Sequence, residues 1–289
     1  MGDALRAMVD AVGLDVAHGA ELEADRGSAW TLHFPTTQHH VWVATRWTPV
    51  WVGRGDAAAA LRPGTAALLA PGAPRWVGTA PLGDAPPPSV TAPDLGIGVS
   101  PGITGIHHGT ATFGPLMPEA FALPDLVTTT GHPAADIDVS ETLQHIDDQA
   151  GHRWPGPQRE ALARMLVLTV LDAWRPPVLR DNSLTRPIDA VAEAAPPGLS
   201  IPDLAAVARM SQSTLLRRFR ATTGLTPDAF ARWFHTLAVR TALHTGTDAT
   251  VAAPRFGYAT VAAMHRAIQR VESSTARLPR PRPQDHFPF

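Results

Sequence analysis

Gln212, Ser213, Leu216 and Arg217 fall at the start of one serine-led segment and one turn into it. At that spacing the side chains of a single helix can meet base edges in a major groove. An arginine there can bond guanine O6 and N7 together, a contact worth about 1 to 3 kcal/mol of discrimination. Arg218 and Arg220 fall on neighbouring faces and suit phosphate oxygens, which fix register without reading sequence. The charge distribution agrees. From Gly198 onward the chain carries 12 Arg against 5 acidic residues, a net of plus 7, while the preceding part carries 12 Arg against 21 acids, a net of minus 9. A basic C-terminal third on an acidic body favours phosphate as its partner over a merely solvated helix face.

These side chains need a scaffold, and the surrounding residues spell one out. In LAAVARMSQSTLLRRFRATTGLTP, Leu204 to Pro227, a short amphipathic helix leads through a tight turn into a second helix. Ser200 with Asp203 has the spacing of a capping box and predicts a helix through Ala208. Ser211 predicts a cap for a helix to about Thr223, with Leu215 and Phe219 facing a core and Gly224 as its left-handed stop. Thr226-Pro227 opens a long helix, since threonine caps well and proline is tolerated in the first turn. Upstream, Ile188, Val191, Ala192 and Ala195 predict a helix over Pro187 to Ala195. Leu162, Met165, Leu166, Thr169 and Val170 predict another from Gln158 to Trp174, stopped by Pro176 and Pro177.

Before these helices the pattern has a different period. Short tracts rich in Trp and Val (Trp30 to Phe34, Val41 to Trp47, Val50 to Val52, Ala66 to Leu69, Arg75 to Val77) alternate with Pro/Gly turns and predict a small β-barrel or sandwich. Residues 79 to 96, rich in Pro and Ala, read as a surface loop. At 289 residues and 44% hydrophobic content the chain can bury two modest cores. The absence of cysteine excludes disulfides, thiolate metal sites and cysteine nucleophiles. Met1 to Leu14 lacks the apolar run and cleavage site of a signal peptide, and no window reaches the ~20 apolar residues of a membrane span. A cytoplasmic protein is therefore expected.

The helical third resembles the DNA-binding region of the AraC/XylS transcription regulators, two helix-turn-helix units joined by a long helix. Met210 to Phe230, MSQSTLLRRFRATTGLTPDAF, carries the likeness most specifically, and Phe256 to Arg270, FGYATVAAMHRAIQR, echoes it. The resemblance implies that Val261, Ala262, His265 and Arg266 occupy the second unit's groove-facing positions. Three departures stand out. The stretch from Val251 to Gly257 reads two residues short, with Pro254 in a helix interior, where it predicts a truncated first helix for an atypical second unit. His235 replaces an arginine of the connecting helix, and Arg209 stands where glycine often makes the turn.

The β-rich part resembles the cupin-like sensor domain found in many such regulators, through the tracts His39 to Gly55, Leu61 to Val77 and Leu123 to Val127. The likeness implies a small-molecule effector pocket, a dimer contact or both, and the helix near Gln158 would help form a homodimer. Trp42, Trp51, Arg75 and Trp76 are the candidate pocket residues, with core packing the competing role for the tryptophans. No metal site is expected. His39 and His40 are adjacent and point to opposite faces of a strand, Arg75 stands where cupin enzymes place a later histidine, and His107-His108 has no carboxylate at matching spacing. The expected architecture is thus α+β, a cupin-like β-barrel followed by an all-α domain with two helix-turn-helix units. Expected boundaries are residues 1–150 for the sensor, 151–183 for a helical linker and 184–289 for the DNA-binding domain. The expected function is effector-modulated or dimer-modulated regulation of transcription on double-stranded DNA, with RNA polymerase as a further partner and no catalytic residues or cofactor. The alternatives are a metal-dependent cupin enzyme and a protein-interaction module with a decayed DNA reader.

Overall fold

The computed structural model describes residues 3–23, 29–81, 89–91, 103–114, 123–150, 156–176, 179–193 and 199–275. They divide into two compact units, one drawn from residues 15–112 and 123–174, the other from 1–14, 113–122 and 175–289.

The first unit is built on ten strands in two sheets: β1 (Leu14–Glu23), β2 (Thr31–Phe34), β3 (His40–Thr45), β4 (Val50–Arg54), β5 (Ala57–Leu61), β6 (Thr65–Leu69), β7 (Arg75–Gly78), β8 (Ser89–Thr91), β9 (Ile103–Phe113) and β10 (Leu126–Thr128). One sheet has the order β1-β9-β3-β6-β10 and the other β5-β4-β7-β2-β8. Val41, Val43, Ala67, Leu69 and Ile106 from the first sheet share a core with Leu32, Phe34, Val50, Val52, Leu61 and Val77 from the second. The two sheets thus pack face to face as a sandwich around one core.

Strands β3 and β6 are buried at every residue. Their alternate residues Val41/Val43 and Ala67/Leu69 enter that core, so Trp42, Ala44, Ala66 and Leu68 lie on the opposite face. Two helices, α2 (Pro133–Ala150) and α3 (Gly156–Trp174), pack against these strands and each other. Val139, Leu143 and Ile146 of α2 and Ala163, Leu166, Val167 and Val170 of α3 are the buried stripes. A sheet covered on both faces explains why the predicted strands β3 and β6 read as continuous apolar runs.

The second unit is helical: α1 (Asp3–Val12), α4 (Thr185–Glu193), α5 (Ile201–Ala208), α6 (Gln212–Thr223), α7 (Pro227–His244), α8 (Ala249–Arg255) and α9 (Val261–Thr275), with a 3-10 turn at Asn182–Leu184. The α+β class is as expected from sequence, but several elements were not. Helix α1 buries Leu5, Met8, Val9 and Val12 and packs on α4 and α7, so the chain's first helix belongs to the helical unit despite its distance in sequence. Helix α2 and strands β1, β5 and β9 are likewise unanticipated. Of the loop expected over 79 to 96, Ser89–Thr91 instead pairs in parallel with β2 as β8, and the remainder beyond residue 81 lies outside the described residues. The same holds for the end of the helix expected over Pro187 to Ala195, which is described to Glu193. Among the described residues no helix is long and apolar enough to cross a membrane.

Candidate nucleic-acid interface

The first helix-turn-helix is assembled by its caps. Ser200 accepts from Asp203 N while the Asp203 carboxylate accepts from Ser200 N, closing the predicted capping box at the start of α5. Arg209 then turns the chain with φ 52, a left-handed conformation that disfavours a side chain by about 1 to 2 kcal/mol. Ser211 Oγ accepts from Thr214 N at 3.3 Å and starts α6. Gly224, with φ 74, ends α6 by donating to Arg220 O. Leu215 and Phe219 are fully buried, and Phe219 meets Phe230 of α7 edge-on at 5.4 Å between ring centres.

That packing decides which side chains face outward. Gln212, Ser213, Arg217, Arg218 and Arg220 are exposed, and Leu216 is half-buried. Ser213 Oγ lies 3.1 Å from Ser211 Oγ at the helix start. Arg218 differs from the other arginines, because its Nη1 donates to Ser183 Oγ at 2.6 Å. Ser183 also donates from its backbone N and its Oγ to Asp181 Oδ1, at 2.9 and 2.6 Å. These Ser183 hydrogen bonds, joined by the Arg218 charge, hold the Asp181 carboxyl below its usual range. Arg218 thereby ties α6 to the turn that leads into α4. No local sequence signal pairs residues 183 and 218, so this contact was not anticipated.

The second unit repeats the first more closely than the sequence indicates. Left-handed Arg209 stands nine positions after cap Ser200, and left-handed Gly257 nine positions after cap Asp248. Met210 N bonds Ala205 O and Arg209 N bonds Ala206 O; in the same pattern Tyr258 N bonds Ala253 O and Gly257 N bonds Pro254 O. The truncation expected from Pro254 is slight: counted from its cap, α8 is seven residues long against eight for α5. The proline lies in the last turn of α8, one residue before its end, where it removes one hydrogen bond. The departure lies downstream: two residues lead from Arg209 to cap Ser211, and three from Gly257 to Thr260, whose Oγ1 accepts from Ala263 N at 3.1 Å.

Counted from these caps, α6 and α9 are in register. Leu215 and Phe219 stand four and eight residues after Ser211, and the buried Met264 and Ile268 stand four and eight after Thr260. Val261, Ala262, His265 and Arg266 thus take the positions of Gln212, Ser213, Leu216 and Arg217. Ala262, His265 and Arg266 are exposed and Val261 is half-buried. In the connecting helix, burial lowers the His235 pKa. Its half-buried ring sits edge-on to Phe234 at 6.1 Å.

In the β unit, the candidate pocket residues are divided between the two sheets. Trp42, on the first sheet, is buried and donates from Nε1 to Ala17 O at 3.2 Å. Trp51, Arg75 and Trp76 lie on the second sheet. The Trp76 ring fills the space over Gly53, where an added Cβ would stand 2.3 Å from the indole. Arg75 is wholly buried, and its guanidinium donates to His39 O at 2.5 Å, Pro35 O at 2.7 Å and Thr37 Oγ1 at 3.1 Å. It braces the β2–β3 loop, which engages the charge within the domain itself. His39 is exposed and meets Thr112 Oγ1 at 2.8 Å, whereas His40 is buried and its pKa is lowered to about 4 by burial and by the charges of Arg75 and Arg54.

Residues 204–278 match a family profile described as a helix-turn-helix domain. Residues 204–278 therefore carry a helix-turn-helix domain, the part of the chain that runs from α5 to α9. Among solved structures, ToxT from Vibrio cholerae O395 is similar at 9% identity, covering 93% of this chain and 98% of that one, with a TM-score of 0.31. Unsaturated fatty acid-bound ToxT from Vibrio cholerae strain SCE256 is similar at 10% identity (92% and 95% coverage, TM-score 0.30). The AraC-like transcriptional activator CuxR is similar at 13% identity (74% and 76% coverage, TM-score 0.29). A comparison with curated proteins finds no match.

Proposed function

We propose that α6 is the principal DNA reader, with Arg217 bonding a guanine edge, Gln212, Ser213 and Leu216 meeting neighbouring bases, and Arg220 on phosphate. Helix α9 presents Val261, Ala262, His265 and Arg266 as a second, more apolar reader. The observation that carries this reading is the shared register of the two helices from their caps, which exposes matching positions on both. Arg218, engaged with Ser183, positions α6 and reaches phosphate only by giving up that bond. The β unit biases DNA engagement, through an effector or through pairing of two copies, and the chain acts as a regulator, not an enzyme. Exposed Ile137 on α2 and Met165 on α3, 59% and 54% accessible, support a homodimer contact on that helical layer. RNA polymerase is the further partner this reading implies. The test is binding to genome-derived DNA fragments across a salt series. The affinity should fall steeply with salt as phosphate contacts release counterions; salt-independent or absent binding would overturn the reading.

A further inference from the structure

Three ligand-type side chains from distant parts of the sequence meet in the β unit. Strand β1 supplies Glu21, β9 supplies His107 and α2 supplies Asp147, each offering a donor atom within 4.8 Å of the others. His107 pairs across the sheet with Ala44, while His108 pairs with Val43 of the core. His107 is therefore on the outer face of the first sheet, the face α2 covers, and not between the sheets. This is the carboxylate partnership that the spacing around His107-His108 did not reveal.

The groups are held, yet they do not satisfy one another. His107 is 2% exposed, and neither of its ring nitrogens has a hydrogen-bond partner. Its Nε2 stands 2.8 Å from Asp147 Oδ1, within ion-pair distance but without the alignment of a hydrogen bond. Buried polar groups are normally paired, so a fixed imidazole aimed past a carboxylate needs a cause. Two ligands on one ion, each about 2.1 Å from it, adopt this relation, because the nitrogen lone pair then points at the ion instead of the oxygen. The remaining contacts orient the donors. Glu21 Oε1 accepts from Gly105 N at 3.0 Å, and Asp147 Oδ2 is ion-paired with Arg46, whose guanidinium lies 4.1 Å over the Trp47 ring.

We propose that Glu21, His107 and Asp147 bind a first-row divalent metal ion, such as zinc or manganese, which ties β1, β9 and α2 together. One imidazole and two carboxylates suit these ions better than the all-oxygen shells of calcium or magnesium. Arg46, on the far oxygen of Asp147, offsets one of the two carboxylate charges and orients the ligand as an outer-shell partner does. Three protein ligands leave a position open to water or to a small anionic molecule. The site is independent of the DNA-reading assignment.

The probe is Zn2+ added to the full-length, untagged, chelator-stripped protein and followed by calorimetry, with Co2+ absorption as a second readout. The expected result is one ion per chain and a rise in the melting temperature of the β unit, since the ion binds the folded state. Glu21→Gln and Asp147→Asn should each weaken binding tenfold or more, while exposed His145→Gln leaves it unchanged. Absence of Zn2+ uptake by the wild-type protein would overturn the proposal. So would stoichiometric binding that survives both carboxylate variants, which would place the ion on other histidines. If either variant fails to fold, the wild-type stoichiometry and the Co2+ spectrum decide the question, a spectrum without imidazole and carboxylate ligation counting against the site.

Discussion

The two helix-turn-helix units share a skeleton and differ in what they show to solvent. Both run nine residues from cap to left-handed turn, and both bury the fourth and eighth residues of the reading helix after its cap. At the positions proposed to face the groove, however, the first presents Gln212, Ser213, Leu216 and Arg217, and the second Val261, Ala262, His265 and Arg266. The skeleton follows from caps and core, and base contacts follow from four surface choices laid over it. Valine and alanine can touch a thymine methyl but cannot hydrogen-bond a base edge, so under the proposed function the units would be unequal readers on an equal frame.

Core substitutions probe the shared frame with the largest effects. Phe219→Ala and Ile268→Ala should each destabilise by about 2 to 5 kcal/mol, the phenylalanine toward the upper end because it also loses its edge-on contact with Phe230. Denaturant unfolding would show this, and a near-neutral Ile268→Ala would mean that the second unit lacks a packed core. Replacing Pro254 by Ala restores an N–H that can reach Thr250 O, and should stabilise by up to about 3 kcal/mol if α8 is helical through Arg255. No gain in melting temperature would put Pro254 outside the hydrogen-bonded ladder. At the equivalent turns, Arg209→Gly should stabilise by about 1 kcal/mol and Gly257→Ala destabilise by a similar amount, since both positions are left-handed. Matching shifts of the same sign would contradict the equivalence of the turns. Ser211→Ala and Thr260→Ala should each cost about 1 kcal/mol through loss of a cap, and unequal losses would show that the caps differ in strength.

Much of the helical unit was legible because its signals are local. Ser200 with Asp203, Ser211, Gly224 and Thr226-Pro227 each specify a boundary through a neighbour a few residues away. Pro254 misled because proline's penalty depends on its place in the helix, and the left-handed Gly257 that sets that place is recognised by counting back to Asp248. The β unit was legible where strands are buried on both faces, as in β3 and β6. Strand β5, AAAAL, has too little apolar contrast to read as a strand, and β9 alternates glycine, histidine and threonine with few apolar residues. Helix α1 could be read as amphipathic, but its place in the helical unit depends on packing against α4 and α7. The Arg218–Ser183 bond and the Glu21, His107 and Asp147 cluster join residues remote in sequence, and spacing carries no information about such meetings. The roles given to Arg75 and Trp76 required the loop carbonyls and Gly53 to be seen beside them.

The inequality of the two readers is tested most directly by measuring operator affinity for Arg217→Ala and Arg266→Ala in parallel, at one salt concentration and with both variants shown to be folded. Loss of a bidentate guanine contact of about 1 to 3 kcal/mol predicts that Arg217→Ala weakens binding by roughly 5- to 150-fold. Arg266→Ala should weaken it several-fold less. Equal losses, or a larger loss for Arg266→Ala, would contradict the account.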